Sequence, residues 1–189
     1  MLEPYRHLRR SLFTPPSAWV IACVPIRQLF LCLWLGGLII IGAVVAPVTF
    51  HLLRNAPELA TNAVLQTDLA GDIVGGSLSI LNVISYVAGP VLFVSDMLLS
   101  MANPAGYSPS NCLKPFLIGT AWLIALLLGL ALFPIMSAAR QQGAAQAFDR
   151  MHHTYEIFSY VQMMLLLAYI ALGAAETAYE LRNPIVGRD

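Results

Sequence analysis

Residues 28–50 read QLFLCLWLGGLIIIGAVVAPVTF, an apolar run from Gln28 to Phe50 without a single charged side chain. About 20 such residues, wound as a helix, cross the hydrocarbon core of a bilayer. One run of this kind would also suit a buried helix of a soluble protein. Three more follow: Ile73 to Ser95, Pro115 to Ala139 and Ile157 to Ala175, again uncharged. Four in one short chain make lipid the natural solvent. The sequence therefore predicts an all-α integral membrane four-helix bundle, with helices at about 28–50, 73–95, 115–139 and 157–175.

Composition agrees. Of 189 residues, 58% are hydrophobic and 11% charged, and the mean hydropathy is +0.73. Soluble domains carry about a quarter charged residues. Ten Lys+Arg balance ten Asp+Glu, and there is no basic run, so nothing points to nucleic acid. Cys23, Cys32 and Cys112 form no CxxC pair, which argues against a disulfide framework or structural zinc.

The four helices read as one domain, residues 28–180, followed by a short tail, 181–189. Arg6, Arg9, Arg10, Arg27, Lys114, Arg182 and Arg188 fall on one side of the membrane. Only Arg54, Arg140 and Arg150 fall on the other. Positive-inside counting places both termini in the cytoplasm. Val20 to Cys23 resembles a lipoprotein cleavage box, and Arg9 to Phe13 a twin-arginine signal, but Thr14 to Ser17 break the apolar region each needs. Residues 1–27, with Tyr5, Leu8, Leu12 and Phe13 among arginines, read instead as an amphipathic segment on the inner membrane surface.

A faint repeat links the first and third helices. Trp34, Gly42, Pro47 and Arg54 match Trp122, Gly129, Pro134 and Arg140 to within one residue per step. This predicts a pseudo-repeat of two helical hairpins about an axis normal to the membrane. Gly71 with Gly75, Gly42 with Ala46, and Ala171 with Ala175 keep small-xxx-small spacing, which lets helix backbones approach within the bundle or across a subunit contact. Pro47, Pro90 and Pro134 each delete a helix hydrogen bond and predict kinks.

One polar stripe stands apart. In FDRMHHTYEIF, Phe148 to Phe158, Asp149, His152, His153 and Glu156 recur at i, i+3, i+4 and i+7, one face of a helix. Topology brings His51, at the end of the first helix, to the same membrane face. Asp68 and Asp72 enter the second helix at that level. Imidazole with carboxylate suits zinc or copper, and paired histidines suit a haem or a pigment. The metal ligands would be His51, His152, His153, Asp149 and Glu156; a haem or pigment would use the three histidines. A helix emerging into water shows the same stripe with no ligand at all. On the opposite side, Asp96 and Glu176 should pair with Arg27 and Lys114.

Trp34-Leu35-Gly36-Gly37, Ala46-Pro47-Val48-Thr49-Phe50, Ala70-Gly71 and Phe148-Asp149-Arg150-Met151-His152 together resemble a family of small four-helix membrane proteins of unknown function that includes transmembrane protein 205. The resemblance runs from about Leu31 to Tyr169. It implies the four-helix topology. It also implies that His152 takes the place of the histidine in the family's Arg-Leu-His element, with Met151 here for leucine and Tyr155 for a frequent serine. A distant similarity to copper-resistance membrane domains is also implied.

No nucleophile with its base and no phosphate-cradling loop is visible. The reading that follows is a non-enzymatic membrane protein: an accessory or scaffolding subunit of a larger membrane assembly, or a homo-oligomer. Its partners are the bilayer and other membrane subunits or itself. The alternatives are a protein binding copper, zinc, haem or pigment through His51, His152 and His153, and a small transporter or channel built on kinked helices and Asn82.

Overall fold

The structure, a computed structural model, describes residues 18–59, 62–102 and 109–182. All regular structure among them is helical: α1 (Ala18–Ile40), α2 (Ala46–Arg54), α3 (Ala63–Ala102), α4 (Pro109–Leu126), α5 (Phe133–Gln141) and α6 (Ala145–Arg182). A π turn, Ile41–Val45, joins α1 to α2, and another, Leu127–Leu132, joins α4 to α5. Four stretches are long and apolar enough to cross a membrane: Ala22–Arg54, Leu65–Met101, Cys112–Gln141 and Ala145–Ala178. They are called the first to fourth spans below. The interfacial segment read at residues 1–27 falls partly outside the described residues, and the tail at 181–189 almost wholly so.

The helices outrun the apolar runs that announce them. The first begins ten residues before Gln28, and the fourth twelve residues before Ile157. Hydropathy marks where lipid begins, but backbone hydrogen bonding continues through polar residues. At about 1.5 Å per residue, the 38 residues of α6 reach about 57 Å, against a hydrocarbon core of about 30 Å. The Asp149–Glu156 stripe is thus two turns of the fourth helix projecting past its apolar run.

The two π turns have a shared cause. Pro47 and Pro134 each stand second in the helix that follows, lacking an N–H and crowding the carbonyl four residues back. The wider turn just before each proline moves that carbonyl aside. Ala46 N–H bonds to the Ile41 carbonyl, and Phe133 N–H to the Leu128 carbonyl, five residues back. Pro90, by contrast, lies inside an uninterrupted α3.

The connections are tight where they are described. Asn62 accepts the Leu65 N–H on its Oδ1 at 3.0 Å and so caps the second span. Gly143, at φ +69°, ends α5 in the left-handed region that only glycine enters without strain. Gly143 N–H bonds to the Arg140 carbonyl and Ala144 N–H to the Ala139 carbonyl, turning the chain directly into α6.

The first span packs on the second, the second on the third and the third on the fourth, while the first and fourth meet over a shorter stretch. Trp34, Leu92, Ile118, Ala121 and Leu166 are fully buried where the spans converge. Leu130, Ile80, Phe116 and Leu123 are exposed and belong to the lipid-facing surface. Lipid is as apolar as this core, so packing and polar pairing, rather than exclusion from water, hold the bundle together.

Candidate functional site

At the proximal end, where α1 starts and α6 finishes, charges from all four spans close the bundle. Asp96 in the second span is 4% exposed. It accepts from Arg27 of the first span at 3.1 Å and from the Tyr169 hydroxyl of the fourth at 2.9 Å. Lys114 of the third span pairs with Glu176 of the fourth. These are the pairings the sequence suggests. Among the described residues this is the one buried acid, and it meets a guanidinium and a phenol, because a lone carboxylate in lipid is too costly to keep charged. Its Oδ2 and the Arg27 Nε are buried without a hydrogen-bond partner.

Fourteen residues earlier on both helices a second bridge recurs. The Tyr155 hydroxyl donates to Asn82 Oδ1 at 3.3 Å. Both bridges join residues 73 apart in sequence. Fourteen residues are close to four turns, so both tyrosines share one face and lie about 21 Å apart along parallel spans. Beside Asn82, the π turn of the third span offers Gly129. A Cβ there would overlap the Tyr86 hydroxyl and come within 3.0 Å of Asn82 Cγ. The glycine lets a polar side chain of one span lie against the backbone of the next. Between the two bridges Ala88 and Leu92 are fully buried, and Ser85 and Gln162 are buried there with them.

At the distal end the predicted cluster separates. His152 Nε2 lies 3.4 Å from Glu156 Oε1, and His153 Nδ1 is 3.4 Å from Oε2 of the same carboxylate. Phe148 stacks on His152 with ring centroids 5.7 Å apart. Asp149 is exposed on the same helix. His51 stands on α2, and its Nε2 lies 3.3 Å from the Asn55 side-chain amide. Helical spacing therefore gathers His152, His153 and Glu156, while His51 interacts with its own helix. Among the described residues no group of three or more His, Cys, Asp or Glu side chains is placed to hold a metal ion.

The charge constellation at this end is a different one. Arg140, in the last turn of α5, reaches across to α3. Its Nη1 lies 3.1 Å from Asp72 Oδ1, and its Nη2 bonds to the Asp68 carbonyl and lies 3.5 Å from Asp68 Oδ1. A Cβ on Gly71 would fall 2.7 Å from the guanidinium carbon. Within the bundle the Arg140 side chain lies on Gly71, and open space lies beside Gly75. A cavity of about 520 Å³ follows, lined by Gly75, Gly76, Phe133 and Ser137 below the charged rim. Sequence reading placed Asp68, Asp72 and Arg140 on this side of the membrane but did not pair them. The available signal was an arginine closing one helix of a hairpin opposite two acids one turn apart. The other small-residue pairs behave differently. Gly42 has nothing within 4 Å of a would-be Cβ, and Ala171 and Ala175 are exposed.

The fold and its buried ion pairs define a polytopic integral membrane protein of four helices. The family model described as domain of unknown function DUF4149 matches residues 29–145, which covers most of the first three spans and the turn into the fourth. The chain belongs to that family. No curated protein and no solved structure matches it.

Proposed function

We propose that this protein is non-enzymatic and works by association in the membrane, as an accessory or scaffolding subunit or as a homo-oligomer. The observation that carries the reading is the position of its small residues. Gly42 on the first span has open space where a Cβ would stand, and Ala171 and Ala175 on the fourth are exposed. Such positions let a second helix approach closely, and in lipid close packing is the main source of helix association. At the bundle ends, meanwhile, Arg27 pairs with Asp96, Lys114 with Glu176 and Arg140 with Asp72.

In this reading both termini are cytoplasmic, supported by the excess of Lys and Arg on that side. The two hairpins form a pseudo-repeat, supported by Gly42 and Gly129 each standing in a π turn before Pro47 and Pro134. Native mass spectrometry of the protein extracted gently from its own membrane tests the association. The expected result is the chain together with further protein mass, reduced when Ala171 and Ala175 are both changed to Leu. A bare chain in the wild type overturns it.

A further inference from the structure

The cavity at the distal end has a shape and charge order that its role in cohesion does not require. It runs between α3 and α5, from Asp68 and Arg140 at the rim to Gly76 and Phe133 below. Eight helical rises on each helix, from 68 to 76 and from 133 to 141, make it about 12 Å long. The helices are antiparallel here, so the charged end points to water and the glycine and phenylalanine end points into the membrane. The volume of about 520 Å³ is in the usual range for a small-ligand site.

Exposure is graded along the rim. Asp72 and Asp68 are 73% and 57% exposed, and Arg140 only 27%. Two carboxylates meet one guanidinium, so the rim keeps one negative charge in excess. An ammonium group is the complementary partner for the outer carboxylate oxygens. The Arg140 Nε–H and the Ser137 hydroxyl, in or beside the cavity, are donors suited to an anion held just behind it. A ligand with an ammonium outermost, a phosphate next and an apolar portion inward matches this order.

We propose that the furrow between the second and third spans binds an ethanolamine phosphate group, carried by an aminophospholipid of the distal leaflet. The primary ammonium donates to Asp68 and Asp72, the phosphate accepts from Arg140, and the glycerol backbone lies over Gly75 and Gly76. A choline headgroup has no N–H to donate and is disfavoured. This site is lined by the second and third spans, whereas Gly42 and Ala171 lie on the first and fourth, and its test reads lipid retention, not protein mass.

The test is native mass spectrometry from nanodiscs holding equal phosphatidylethanolamine and phosphatidylcholine. The wild type should retain the ethanolamine lipid about tenfold better, the ratio that one lost ammonium hydrogen-bond set of about 1.4 kcal/mol implies. Gly75→Leu should abolish the preference. Nothing lies within 4 Å of a Cβ at this position, so the leucine fills the furrow without a clash to unfold the helix. Asp72→Asn, which leaves the Asp68 pair in place, should weaken the preference. Soluble phosphoethanolamine distinguishes the sources. Displacement of lipid shows that the headgroup alone is recognised, and failure to displace shows that the whole lipid is needed. Equal retention of both lipids by the wild type, or an unchanged preference in Gly75→Leu, overturns the proposal.

Discussion

Replacing Asp96 by alanine removes the acid that three spans share. At 3.1 Å, and with an effective dielectric of about 20, the attraction between Arg27 and Asp96 is about 5 kcal/mol. Desolvating two charges costs several kcal/mol each, so the intact pair contributes little net stability. Removing one partner is different: Arg27 keeps its desolvation cost and loses its counter-charge. Breaking a buried pair costs about 3–5 kcal/mol. Arg27 is 20% exposed and can extend its head toward the interface, which places Asp96→Ala near the low end, about 3 kcal/mol. Tyr169→Phe removes only one hydrogen bond to a charged acceptor, about 1.5 kcal/mol.

The decisive variant is double. Arg27→Met with Asp96→Leu deletes both charges and fills the space with apolar atoms, and it should lie within about 1 kcal/mol of wild type. Unfolding by SDS in mixed micelles, followed through Trp34 and Trp122 fluorescence, measures all four proteins. Arg27→Met and Asp96→Leu are measured singly beside the double variant; if the double variant loses the sum of those two losses, the sites are uncoupled and no charge is orphaned by removing its partner.

Two further outcomes follow from local geometry. At Gly89 a Cβ would sit on the Trp122 indole and 2.8 Å from its Cβ, an atom that moves only with the backbone. Overpacking of about 1–3 kcal/mol should outweigh the helix-propensity gain of about 1 kcal/mol, so Gly89→Ala lowers stability in the same titration, whereas Gly76→Ala, with nothing within 4 Å, does not. Changing His51, His152 and His153 together to alanine should alter stability by under about 0.5 kcal/mol, since all three are exposed and their pairings are local. Zinc and copper content by elemental analysis should match the wild type; a metal lost only in the triple variant would restore the histidine cluster as a binding site.

Several features were readable before any coordinates. The uncharged runs around Trp34, Ser85, Trp122 and Leu166 announced four spans, because crossing a bilayer depends on local hydropathy and length. The pairing of Asp96 and Glu176 with Arg27 and Lys114 followed from depth, since lone charges at a membrane boundary seek partners. The Asp149–Glu156 stripe was visible because helical spacing alone makes it. What it lacked was His51, whose approach depends on how two distant helices pack.

Which side chains face lipid and which face neighbours was not in the sequence. Trp34 is fully buried and Leu33, one residue away, is 45% exposed, yet both sit in an equally apolar run. In water the polar face of a helix would mark the difference; in lipid both faces are apolar. The same limit hid Arg140 on Gly71, Tyr155 on Asn82 and Tyr169 on Asp96, contacts between residues 69 to 73 positions apart. The sequence by itself determined the solvent, the number of helices and the charges that needed partners, because each is a property of a residue and its near neighbours. The tertiary structure decided that Arg140 lies on Gly71 and that a furrow opens beside Gly75, because that depends on where the third span lies against the second.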